Sequence, residues 1–168
     1  NPQTKRLAEL VAEGAIGDLR LVRSTFSYSL YDESNIRLRP EVEGGALMDV
    51  GCYCVSGSRL LGGEPVVAVA RQVVGPSGID MRLTGTLVFP GEVLAQVDCA
   101  FDLPDRQGLE AVGSTGTLQV ATPWGVQEPG IVLRRGGGLE RLEIERADRY
   151  RLQGDNFSRA IRGVEEPL

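Results

Sequence analysis

The chain has 168 residues, a formal charge of -5 and 42% apolar residues, enough to bury a core without disulfide or metal staples. Lys5 is the one lysine and no basic stripe stands out, which argues against nucleic acid as a partner. No apolar run approaches a membrane span, no signal-peptide pattern opens the chain, and the absence of histidine excludes Ser-His-Asp, Cys-His and histidine-metal chemistry.

Residues 2–14 read as a short helix. Leu7, Leu10 and Val11 follow helical spacing, Pro2 suits a first turn and Gly14 suits a C-terminal cap. Residues 19–30 alternate and are rich in β-formers, which predicts a strand with Phe26 and Tyr28 toward the core. Residues 31–43 are polar, carry Pro40 and contain Asn35-Ile36-Arg37-Leu38-Arg39, a loop of functional length.

The loop leads into Glu43-Gly44-Gly45-Ala46-Leu47-Met48-Asp49-Val50-Gly51-Cys52-Tyr53, which reads as the start of a second helix. Glycines there let the helix start lie against something bulky, because they lack a Cβ. Asp49 and Tyr53 are four residues apart, so on a helix they project from one side. Leu47, Val50, Cys54 and Leu61 form a neighbouring apolar stripe. A carboxylate and a phenol held together at a helix start are suited to proton transfer. The helix ends at Gly62-Gly63, and Pro65 prevents continuation.

Beyond Pro65 the pattern turns to sheet. Residues 66–74 form one β-rich run. Residues 81–89 and 93–101 alternate around Pro90-Gly91-Glu92 as an antiparallel hairpin. Residues 109–113 and 116–120 suggest a second hairpin around Ser114-Thr115, and residues 131–133 and 139–144 a third around Gly136-Gly137-Gly138. Residues 153–163 are helical in pattern, with Phe157, Ala160 and Ile161 on one face.

This order predicts an α+β fold: an open, mixed, mostly antiparallel sheet with helices packed on one face. There is no internal repeat, and no GxGxxG follows a strand, so no nucleotide fold is expected within the chain. Cys52, Cys54 and Cys99 make no CxxC pair and read as reduced core thiols of a cytoplasmic protein. Cys52 and Cys54 point apart on a helix and have no evident partner ligands, so no metal site is expected. The chain opens on Asn1 and not on methionine, which allows a preceding domain.

Segments along nearly the whole chain resemble the C-terminal domain of the Gfo/Idh/MocA oxidoreductases, in the branch of glucose–fructose oxidoreductase and dimeric dihydrodiol dehydrogenase. They are Glu13-Gly14-Ala15-Ile16-Gly17, Asn35-Ile36-Arg37, Gly44 through Tyr53, Arg59-Leu60-Leu61-Gly62, Glu64-Pro65, Val112-Gly113-Ser114-Thr115-Gly116 and Phe157-Ser158-Arg159-Ala160-Ile161-Arg162-Gly163. The glycine-rich helix start with Asp-x-x-x-Tyr is the specific part. The resemblance implies one domain spanning 1–168 for substrate binding and dimerisation, of the glyceraldehyde-3-phosphate-dehydrogenase-like kind. It also implies a separate N-terminal Rossmann domain for NAD or NADP, and a catalytic lysine supplied by that domain.

It further implies that Tyr53 and Asp49 are catalytic, that Arg37 and Asn35 bind substrate, and that Gly44 and Gly45 lie against the nicotinamide. Substrates would be sugars, polyols or cyclic diols, and the open sheet face would make a homodimer or homotetramer. Glu43 departs from the pattern by standing where many members have a third glycine.

Each site residue also has a plainer reading. Tyr53 can pack at a helix–sheet boundary, Asp49 can stabilise a helix N-terminus, Arg37 can be a solvated loop arginine and Asn35 can stabilise a turn. Tyr28 and Tyr31 read as core or rim residues near the cleft, and Trp124 lies in a loop. The reading that competes with an enzyme half is a non-catalytic sheet module that binds a sugar-like ligand or a partner protein.

Overall fold

The computed structural model describes residues 1–125 and 129–166. An eight-stranded sheet runs in the order β2-β3-β4-β1-β5-β6-β7-β8. The strands are β1 (Leu19–Ser29), β2 (Val67–Val74), β3 (Asp80–Val88), β4 (Leu94–Ala100), β5 (Asp102–Gly113), β6 (Gly116–Val120), β7 (Gly130–Arg135) and β8 (Gly138–Glu143). The β1–β4 pair is parallel, and every other neighbouring pair is antiparallel. All three expected hairpins form, as β3–β4, β5–β6 and β7–β8.

β1 is the middle of the sheet because β4 and β5, separated by the single residue Phe101, straddle it. The Leu30 N–H donates to the Phe101 carbonyl at 2.8 Å where the chain crosses the end of β1.

Helices α1 (Pro2–Ala12) and α2 (Cys52–Gly62) cover one face of the sheet. Asn1 caps α1 by accepting from the Gln3 N–H, and Pro2 occupies the first turn, where its missing N–H costs nothing. Leu7 and Leu10 of α1 and Cys54 of α2 meet Val22, Leu87, Leu109, Leu118 and Ile131 of the strands, and Phe89 just beyond β3, in the main core. A second cluster, Ala46, Val50, Ile79, Leu83, Cys99 and Phe101, lies under the approach to α2. Each fully buried large apolar side chain contributes roughly 1.5–3 kcal/mol.

Two expectations need correction. Helix α3 (Arg149–Ile161) forms, but it leaves its apolar residues outside the core: Phe157 is 65% and Ile161 71% exposed. Asp148 caps the helix by accepting from the N–H groups of Tyr150 and Arg151, while α1 and α2 already cover the face that it was expected to share. The cysteines are all free, but Cys52 is exposed and only Cys54 and Cys99 are core thiols. α2 turns the two near neighbours to opposite sides.

Among the described residues no helix is long and apolar enough to cross a membrane. No group of three or more His, Cys, Asp or Glu among them is placed to hold a metal ion.

Candidate active site

The site is assembled where β1, the loop after it and the approach to α2 converge. Alternation along β1 turns Val22, Ser24, Phe26 and Tyr28 toward the helices. The following loop is tightened by two short 3-10 turns, Ile36–Leu38 and Pro40–Val42. Asn35 starts the first, its Oδ1 accepting from the Arg37 N–H at 3.0 Å, so its side-chain oxygen shapes the turn that carries Arg37. Glu43 ends the second in the left-handed conformation, φ 57 and ψ 38, at the position where a glycine would carry no strain.

The two glycines that follow are required by the chain's own packing. A Cβ on Gly44 would run into the Arg37 carbonyl, and one on Gly45 would run into the Asp80 carboxylate. Gly45 also has φ 138, which favours glycine. Asp80, at the start of β3, accepts from the Leu47 N–H at 2.7 Å and so caps the approach to α2 from a distant element. Sequence reading missed it because a cap supplied from 33 residues away leaves no local signal.

The approach itself is not α-helical. Leu47–Gly51 is a π-helical turn, with the Cys52 N–H reaching back to the Leu47 carbonyl. Gly51 permits it by lying close to β4, where a Cβ would sit 2.7 Å from Cys99 Sγ. Simple α-helical spacing therefore does not decide what Asp49 meets. Its Oδ1 accepts from Arg37 Nε at 2.7 Å, and its Oδ2 accepts from the Tyr28 hydroxyl at 2.8 Å. Among the described residues no hydrogen bond joins Asp49 to Tyr53. The phenol bonded to Asp49 is Tyr28 of β1.

Tyr53 is held by rings. It lies edge-on to Phe26, with centroids 5.8 Å apart, and tilted against Trp124 at 5.9 Å. Phe26 and Trp124 stack at 5.4 Å. The Trp124 loop is fixed from α1: the Gln3 side chain, 3% exposed, donates to the Thr122 and Pro123 carbonyls, and Asn1 Nδ2 donates to Pro123 as well. Tyr53 nevertheless remains 45% exposed, so its hydroxyl is accessible.

Charge follows from this geometry. Hydrogen bonding and proximity to Asp49 raise the Arg37 guanidinium above its usual range, with Tyr28 and Tyr53 adding smaller electrostatic contributions. The Tyr28 phenol is pushed up to about 12, first by burial and then by its bond to Asp49. Partial burial also raises the Cys52 thiol, which keeps it a poor nucleophile at neutral pH. The corner thus offers a paired arginine, a carboxylate with both oxygens engaged and an accessible phenol.

The comparisons with known proteins agree with this architecture. Residues 4–119 match the family model described as GFO/IDH/MocA C-terminal domain. The chain belongs to the GFO/IDH/MocA family. A D-xylose 1-dehydrogenase (NADP(+)) of Haloferax volcanii is 33% identical over 172 residues, covering 99% of this chain and 53% of that protein. The trans-1,2-dihydrobenzene-1,2-diol dehydrogenase of Homo sapiens is 32% identical over 126 residues, covering 73% of this chain and 37% of that protein.

Among solved structures, a 3-ketoreductase from Actinomadura kijaniata, in complex with NADP and TDP-benzene, superposes with a TM-score of 0.87 at 26% identity, covering 99% of this chain and 53% of that one. An aldose-aldose oxidoreductase from Caulobacter crescentus, complexed with glycerol, shares the fold with a TM-score of 0.92 at 24% identity, covering 100% of this chain and 52% of that one. This GFO/IDH/MocA chain spans about half the length of the curated relatives it matches.

Proposed function

We propose that this chain is the substrate-binding and oligomerising half of an NAD(P)-dependent oxidoreductase acting on a CH–OH group of a sugar, polyol or cyclic diol. The observation that carries the reading is the exposed Tyr53 phenol beside the Asp49–Arg37 pair, at the glycine-rich start of α2. Relatives named as a D-xylose 1-dehydrogenase and a dihydrobenzenediol dehydrogenase supply the substrate class. Both the NADP in one relative's name and the NADP in the ketoreductase complexes support a nicotinamide cofactor. A Rossmann domain outside this chain would bind most of that cofactor.

Gly44, which is half-buried, and Gly45, which is buried, would lie on the nicotinamide side of the approach to α2, with Met48 exposed there. A bound nicotinamide supplies hydride chemistry. Tyr53 exchanges the proton of the substrate hydroxyl, and a lysine from the Rossmann domain would complete the site. Arg37 grips substrate oxygens with its planar donor fork, Asp49 holds Arg37 in place, and Asn35 secures the loop within reach of substrate.

The uncovered sheet face supports a homodimer or homotetramer. Its register aligns Val67, Val88, Leu94, Leu21 and Val112 in one apolar row across five strands.

The test is Tyr53→Phe in the intact protein. Turnover should fall by about 100-fold or more while cofactor affinity stays the same. Unchanged turnover removes Tyr53 from the chemistry, and a protein with no nicotinamide dependence at all would be the sheet module instead.

A further inference from the structure

Arg37 stands on a solvated loop, and its side chain is 45% exposed. A free arginine samples many rotamers, and ordering it costs roughly 2 kcal/mol of side-chain entropy. A guanidinium that is to recognise paired oxygens must therefore be held in place before the ligand arrives. Asp49 does this economically: its Oδ1 takes the inner Nε–H, and no hydrogen bond among the described residues takes the two outer NH2 groups. The outer edge is the part of the fork that matches two neighbouring hydroxyl, carbonyl or carboxylate oxygens.

Asp49 itself needs fixing. It sits on the π-helical turn, and a carboxylate held by one oxygen can still rotate about its side-chain bonds. The second oxygen is taken by the Tyr28 hydroxyl at 2.8 Å. The Tyr28 ring is in turn anchored edge-on against Phe101, with centroids 5.3 Å apart, and Phe101 is 1% exposed. A continuous line of contacts thus runs from the buried crossover after β4, through Phe101, Tyr28 and Asp49, to Arg37.

We infer that Tyr28 is a positioning residue, which fixes the Asp49 carboxylate so that the outer edge of the Arg37 guanidinium is presented to a substrate carrying two neighbouring oxygens. The inference rests on the functional reading above and adds a residue from a different element to it. Tyr28 is suited to this because burial and Asp49 keep its phenol protonated, and so a donor, well above neutral pH. Phenylalanine would fill the same space and keep the Phe101 contact while removing only the hydroxyl, so Tyr28→Phe isolates the proposed role.

The experiment has a kinetic and a spectroscopic arm, both on the intact protein. In the first, Tyr28→Phe raises KM for a vicinal diol substrate by about fivefold to tenfold and leaves kcat within about twofold, the pattern of lost ground-state binding. Arg37→Gln raises KM further, and adding Tyr28→Phe to it changes nothing more, because the two act in one line. An unchanged KM in Tyr28→Phe, or additive effects in the double variant, overturns the proposal.

In the second arm, the Arg37 Nε–H resonance is assigned by its loss in Arg37→Gln and its solvent exchange is followed. Exchange speeds up by about tenfold in Tyr28→Phe, and more in Asp49→Asn, while the backbone amide spectrum elsewhere keeps its native pattern. Unchanged exchange in Tyr28→Phe overturns the proposal even in a protein with no nicotinamide-dependent turnover. That lack of turnover would separately defeat the functional reading.

Discussion

The two faces of the sheet come from the same strands by the same alternation, yet they differ in what covers them. On one face Val22, Phe89, Leu109, Leu118 and Ile131 are sealed beneath α1 and α2. On the other, the row of Val67, Val88, Leu94, Leu21 and Val112 is flanked by Thr86, Gln96, Arg23 and Glu110. Leu94 is 42% and Val67 49% exposed there. An apolar residue therefore has the weight of its cover: the covered face stabilises the monomer, and the open face can stabilise only an assembly.

The largest effect on stability is expected on the covered face. Phe89 is 1% exposed, and its ring lies 2.9 Å from where a Cβ on Gly62 would stand. Phe89→Ala should cost about 3–5 kcal/mol in urea unfolding and lower Tm by about 10 °C. A loss under about 1 kcal/mol would mean that the α2 cover is loose.

A further effect follows from pH. In the folded protein Cys54, Cys99 and Tyr28 are all pushed up to about 12, with burial as the leading cause, from ordinary values of 9.0 for the thiols and 10.0 for the phenol. As pH rises through 9 and then 10, the unfolded chain loses these protons while the folded chain keeps them. Stability should therefore be fully present below about pH 9, fall from there to about pH 12, and level off beyond. Urea midpoints measured across this range should show a shallower fall for Tyr28→Phe, whose buried group cannot ionise. A stability that stays flat up to pH 12 would contradict the burial of these groups.

The smallest effect on the fold should come from the open face. Leu94→Asp is expected to change the unfolding free energy of the monomer by about 1 kcal/mol. In sedimentation it should convert the proposed dimer or tetramer to a monomer. A variant that still assembles moves the interface away from this row.

Much of the fold could be read directly from residue patterns. The alternation of residues 81–89 and 93–101 around Pro90-Gly91-Glu92 is the β3–β4 hairpin, and Leu7 and Leu10 lie on the inner side of α1. These patterns were legible because the contacts that produce them are local or periodic. At α3 the same periodicity groups Phe157 and Ile161 on one face, and in this chain that face remains exposed.

The site was legible only in its ingredients. Asp49 and Tyr53 stand out by type and spacing and Arg37 by the family resemblance, but the Tyr28–Asp49 bond joins residues 21 apart on different elements. Trp124 reaches Tyr53 through a loop that Gln3 ties down from 119 residues away. Neither connection has a sequence signature.

The sequence by itself determined the strands apart from the first half of β5, the hairpins, the first two helices and the need for small residues before α2, because steric limits and burial act residue by residue along the chain. Tertiary structure alone decided that the approach to α2 winds as a π turn over Cys99 and that Asp80 caps it. It also decided that Asp49 answers to Tyr28 and Arg37 while Tyr53 rests among rings. Hydrogen bonds and ring contacts form between whatever groups the packed sheet brings within about 3 to 6 Å, and that proximity belongs to the fold as a whole.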